Sequence, residues 1–150
     1  MSTGLLGIGS PFGLDRLGWM VADVLAYSNT LKERGVTIEA LDRPGTRLLS
    51  YMAPFQSVIL VDAVVSHDPP GKLYCFNAQG IQDCEHLRSS HDIGIKSTLA
   101  LGAALNQLPE NLVFYGINIG ENLNNVRLAG AIKTLKNTVK KALLDFSNNT

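Results

Sequence analysis

The chain has 150 residues, 45% of them hydrophobic, and its thirteen basic residues balance thirteen acidic ones. That length suits a single domain spanning residues 1–150 with a substantial core, and the composition excludes a disordered chain. With no net charge to attract nucleic acid or an anionic surface, no apolar run near the roughly 20 residues of a membrane span and no signal-like segment, the expectation is a cytoplasmic protein without nucleic-acid or membrane partners.

In chain order, Gly4 to Ile8 is apolar throughout and reads as a strand buried on both faces. From Leu17 the apolar residues Met20, Val21, Val24, Leu25 and Leu31 recur at helical spacing, and Gly35 closes that helix. Val36–Leu41 alternates as a strand. Asp42-Arg43-Pro44-Gly45-Thr46 follows as a turn, with Thr46 positioned to cap the next element. A short helix through Leu48, Leu49 and Met52 stops near Pro54, and Ser57–Val65 is the most hydrophobic strand, interrupted by one acid, Asp62.

His67-Asp68-Pro69-Pro70-Gly71 must be a loop, and Leu73–Phe76 a short strand. Ala78–Ser90 reads as polar and irregular. A helix then opens at His91 and runs through Ile95, Leu99, Leu101, Ala103, Leu105 and Leu108 to Pro109. Leu112–Ile117 is a further strand, and Leu128, Ile132, Leu135, Val139, Leu143 and Phe146 mark a long final helix. Strands that alternate with helices predict an α/β fold: a three-layer α/β/α sandwich around a mainly parallel twisted sheet. Cys75 and Cys84, the two cysteines, form no CxxC pair and read as reduced thiols.

The glycine loop after the first strand admits two readings. Gly7-x-Gly9 invites a dinucleotide site with Asp42 as the ribose acid, but Phe12 stands where the fingerprint needs its third glycine. The acids support a different reading. In a parallel sheet the C-terminal strand ends share one rim, where ligands bind. Asp15 follows the first strand, Asp62 lies late in the third, and His91 follows the fourth, so three metal-capable side chains are expected along that rim. A helix N-terminus disfavours the imidazolium form of His91 and keeps the neutral form that ligates metals. Each residue also has a purely structural reading: Asp15 as an acid at a helix start, Asp62 as a satisfied structural carboxylate, His91 as a helix-start histidine. His67 and His86 lie in polar loops and read as solvated, and the lysines at 133, 136, 140 and 141 as the polar face of the last helix.

Gly7-Ile8-Gly9-Ser10-Pro11 with Asp15-x-x-Gly18, Leu41-Asp42 before Gly45-Thr46, Val61-Asp62-Ala63-Val64, and Ser90-His91 ahead of a helix together resemble the hydrogenase maturation endopeptidases. The resemblance runs from Leu5 to the last helix. It implies a phosphorylase/hydrolase-like α/β fold and an aspartic-type peptidase that removes the C-terminal extension of a nickel–iron hydrogenase large-subunit precursor. It places Asp15 and Asp62 as the acidic ligands and catalytic groups and His91 as the histidine. The nickel would be supplied by the precursor, with other divalent metals able to take the site in vitro. Either a metal-polarised carbonyl or a water activated by a carboxylate would lower the hydrolytic barrier. The implied partner is the precursor, and the implied state a monomer or weak homo-oligomer.

This chain departs from the family pattern at Ser10, Leu14 and Arg16, and in the Gly116–Glu121 loop, which lacks the usual proline. Asp42 and Thr46 fall in a supporting or substrate-facing loop. Two other functions fit the sequence: a non-catalytic module that binds the precursor or a nucleotide, and a metal-dependent hydrolase of another substrate.

Overall fold

A computed structural model describes residues 2–84, 88–89, 94–120 and 125–148. Thr3–Gly9 forms β1, buried at every position. A 3-10 turn over Gly13–Arg16 leads into α1 (Leu17–Leu25), followed by α2 (Asn29–Glu33), β2 (Thr37–Asp42), a second 3-10 turn (Gly45–Arg47) and α3 (Leu48–Met52). Next come β3 (Ser57–Val65), β4 (Leu73–Asn77), α4 (Ala78–Asp83), β5 (Arg88–Ser89), α5 (Ile95–Ala104), β6 (Asn111–Asn118) and α6 (Asn125–Asn148).

The sheet has the order β2-β1-β3-β6-β4, with β5 attached to β3. β1 runs parallel to β2 and β3, and β3 parallel to β6, whereas β4 lies antiparallel at the edge beside β6. Hydrophobic residues alternate along the strands and build a core on each face. Leu5, Ile59, Val61 and Ile117 face α1 and α6. Leu6, Leu60, Val64 and Phe114 face α3, α4 and α5. This is the expected three-layer, mainly parallel α/β architecture.

Three local expectations are corrected. The helix read from Leu17 to Gly35 is two helices, because Ser28 leaves helical geometry and caps α2 by accepting from the Leu31 N–H (3.4 Å). The Ala78–Ser90 stretch is not irregular throughout: Asn77 caps α4 by accepting from the Gly80 N–H (2.7 Å), and Arg88–Ser89 pairs antiparallel with the end of β3. α5 begins at Ile95, with Gly94 extended ahead of it, and His91, where a helix was expected to open, lies outside the described residues. α5 ends at Ala104, where the chain turns through Asn106 at φ +54°, short of Pro109.

Candidate active site

The architecture of the site starts from three glycines. A methyl group on Gly18 in α1 would lie 2.1 Å from the Ile8 carbonyl oxygen and 2.6 Å from that of Val61. One on Gly7 would lie 2.2 Å from the Gly18 carbonyl oxygen, and one on Gly9 would meet the Asp15 carbonyl oxygen at 2.6 Å and the Trp19 ring. Helix and sheet thus touch backbone to backbone, a separation only glycine permits. The Trp19 indole N–H donates to the Leu41 carbonyl (2.7 Å) and ties α1 to the end of β2. Gly7 and Gly9 are therefore covered by α1 and offer no open cradle for a pyrophosphate.

This close contact sets the position of Asp15. The loop from Ser10 to Asp15 closes on itself: the Ser10 N–H donates to the Asp15 carbonyl and the Asp15 N–H to the Phe12 carbonyl (both 3.1 Å). The buried Ser10 hydroxyl donates to Asp15 Oδ2 (3.3 Å), so serine at this position orients the acid. Asp15 is half-buried, and its 3-10 turn lies against β3.

Asp62 is placed by strand register on β3, the strand next to β1. It sits between Leu60 and Val64, on the face covered by α3, α4 and α5, and is 0% exposed. Burying a carboxylate is costly and is tolerated where partners compensate it, which makes Asp62 a candidate site residue. Asp62 pairs in register with Gly116 of β6, which pairs in turn with Tyr74 of β4. A methyl on Gly116 would press on Phe114 and Val64 (3.0 and 3.1 Å), so the residue between the carboxylate and the tyrosine must be small.

β5 pairs with Val64 and Val65, the end of β3 that extends past its pairing with β1. The chain therefore returns to the C-terminal rim at Ser89. His91, the third expected site residue, lies outside the described residues, as do His86 and Asp92. His67 is described and exposed, as expected.

The rim adds one residue that was not expected and a partner for one that was. The first is Asn118, which is fully buried. Its Oδ1 accepts from the Ser66 and Gly120 N–H groups (both 3.1 Å), and its Nδ2 donates to the carbonyls of Asp68 (2.7 Å) and Pro69 (3.3 Å). One side chain thereby fixes the loop that follows β3. Tyr74 strengthens it: its hydroxyl bonds Ser66 Oγ (2.6 Å) and donates to the Asp68 carboxylate, which also receives Lys72 (3.1 Å). Burial, and then the bond to Asp68, raises the Tyr74 pKa. Asp42, expected in a supporting or substrate-facing loop, gains a partner. It holds the Arg43 guanidinium (2.7 Å) and caps no helix, and Thr46 lies within the 3-10 turn, whose start carries no side-chain cap.

The fold is a mainly parallel α/β/α sandwich, with Asp15 following β1 and Asp62 late in the adjacent β3, towards the C-terminal side where such sheets bind ligands. A family model, HycI, hydrogenase maturation protease, matches residues 28–145, and the chain belongs to the hydrogenase maturation protease family. Solved structures agree at the level of the fold. The hydrogenase maturating endopeptidase HybD from Escherichia coli is 21% identical, with TM-score 0.74 over 97% of this chain and 93% of that one. The [NiFe] hydrogenase maturation protease HybD from Thermococcus kodakarensis is 20% identical, with TM-score 0.67 over 95% of this chain and 99% of that one. The maturation protease HycI from the same archaeon is 18% identical, with TM-score 0.62 over 95% and 92%. No curated protein matches the chain. Among the described residues no helix is long and apolar enough to cross a membrane.

Proposed function

We propose that this peptidase cleaves the C-terminal extension from a hydrogenase large-subunit precursor that already carries nickel, through Asp15, Asp62 and His91. The observation that supports this reading most is Asp62, a carboxylate held without exposure in the middle of the sheet, one strand from the glycine-packed loop that orients Asp15. Two carboxylates and an imidazole are a donor set suited to nickel. The nickel belongs to the substrate, and the three side chains complete its coordination. That contact makes cleavage conditional on metal insertion and places the scissile bond at the rim. Asp15, partly exposed, receives the incoming metal end. Asp62, shielded from solvent, offers its carboxylate to the metal end, and a carboxylate of this pair would activate the attacking water in an aspartic-type mechanism. We place the reaction in the cytoplasm, with the enzyme as a monomer or weak homo-oligomer.

The test is the intact mass of a cognate precursor with and without nickel, after incubation with this protein. Loss of a C-terminal peptide only from the nickel-loaded form is expected. Asp62→Asn should abolish that loss while the protein still melts cooperatively. A folded Asp62→Asn variant that processes normally would remove Asp62 from the reaction.

A further inference from the structure

Where β2 ends, Arg43 adopts φ +40°, a left-handed conformation that side chains with a Cβ rarely take. Among the described residues the other non-glycine residue with positive φ is Asn106, whose type tolerates it. Arginine has no such tolerance, and strained backbone that persists in a folded protein concentrates at functional surfaces. The strained residue is also pinned: the Arg43 N–H donates to the Gly9 carbonyl (2.9 Å), at the end of the strand that leads to Asp15.

The side chain is placed with equal care. Arg43 Nε donates to Asp42 Oδ1 (2.7 Å), and the guanidinium carbon lies 5.5 Å from the centroid of the Phe12 ring. Phe12 is 65% exposed, although it is a large aromatic on a short loop, and its carbonyl accepts the Asp15 N–H (3.1 Å). An exposed ion pair and an exposed cation–aromatic contact contribute little to folding. Stability therefore explains neither the strain nor the exposed ring. Together they form an exposed surface, part apolar and part hydrogen-bond donor, with backbone bonds from Phe12 to Asp15 and from Arg43 to Gly9.

We propose that Phe12 and Arg43 form a specificity platform that grips the precursor peptide beside the scissile bond. The ring receives an apolar side chain, and the outward guanidinium N–H groups donate to a carboxylate on the neighbouring residue. A planar guanidinium suits a carboxylate, and the Phe12 ring and Asp42 hold it ready so that little ordering entropy is lost on binding. This inference rests on the endopeptidase reading above.

The test is the cleavage kinetics of a nickel-loaded cognate precursor, with melting temperatures, for the unaltered protein, Phe12→Ala, Arg43→Gly and Asn106→Gly. Glycine is at ease at φ +40°, so Arg43→Gly should melt no lower than the unaltered protein while its KM rises about tenfold. Phe12→Ala should raise KM similarly, with kcat within about twofold in both variants, and Asn106→Gly should leave the kinetics unchanged. Unchanged KM in Phe12→Ala and Arg43→Gly, with normal cleavage by the unaltered protein, would overturn the platform and leave the endopeptidase reading standing. No cleavage of a precursor verified to hold nickel would overturn that reading, and the platform with it.

Discussion

Replacing Gly18 with alanine tests whether backbone contact between α1 and the sheet sets the site. The added methyl would lie 2.1 Å from the Ile8 carbonyl oxygen, 2.6 Å from that of Val61 and 2.8 Å from the Ile8 nitrogen. These atoms belong to the main chain of two central strands and have nowhere to go, so α1 must lift by about 1 Å to restore ordinary contact. Overpacking of this kind costs roughly 1–3 kcal/mol, and this case belongs at the upper end because no flexible side chain can yield. Helix propensity returns up to about 1 kcal/mol, less near a helix start, leaving a net loss of roughly 2 kcal/mol. For a chain of this size that lowers the melting temperature by about 4–8 °C. Asp15 stands three residues before Gly18 and moves with the helix, and a misplacement of about 1 Å costs on the order of a hundredfold in turnover. Gly130 in α6 is the control: a methyl there meets nothing within 4 Å, so Gly130→Ala should stabilise by about 1 kcal/mol. The assay is thermal melting of both variants followed by precursor cleavage. If Gly18→Ala melts as high as Gly130→Ala, the helix–sheet contact does not constrain the site and the reasoning fails.

Asn118→Ala removes the partners of two backbone N–H groups and two carbonyls at a buried position, a loss of roughly 3 kcal/mol. Hydrogen exchange at Ser66 and Gly120 should accelerate before exchange elsewhere in the sheet, and unchanged protection there would contradict the clamp. Tyr115 is held neutral by burial, with a smaller contribution from the neighbouring Cys75, and its pKa is pushed up from 10.0 to about 12. Because the folded value exceeds the unfolded one, the stabilisation is complete below pH 10.0 and declines as pH rises to about 12. Denaturation midpoints across that range should fall more steeply for the unaltered protein than for Tyr115→Phe, and equal slopes would refute the assignment.

Much of this fold was legible because its strands are buried on both faces. Ser57–Val65 has no alternative as a buried strand, and its single acid stands out against eight neighbours that are apolar or small. The long final helix shows its apolar stripe over 24 residues. What escaped was short or depended on distant partners. α4 has six residues and only one buried apolar side chain, Ile81, so periodicity had nothing to register, and the capping signal from Asn77 was its sole local mark. The break between α1 and α2 falls within a run whose apolar spacing continues across it, so Ser28 alone signalled the interruption. Asn118 was invisible for a different reason. Its partners lie about fifty residues earlier in the chain, and an asparagine after a strand looks like any turn residue until the loop it holds is in place.

The two carboxylates of the proposed site are positioned by independent means, and that bears on how the site can vary. Asp62 is fixed by strand pairing: its neighbours in β6 and β4 are set by a register that one slip would reverse, moving the acid to the opposite face. Asp15 is fixed by surface complementarity between a helix and a strand, through Gly7, Gly9 and Gly18, and then by the Ser10 hydroxyl. The first device is digital and tolerates little. The second is graded, because loop residues 10–16 can change without disturbing the sheet as long as the glycine contacts remain. Ser10, Leu14 and Arg16 all fall in that graded part, together with the exposed Phe12. On the proposed reading, a rigid acid buried in the sheet and an adjustable one on a loop would let the reaction stay constant while the loop adapts to the peptide presented beside it.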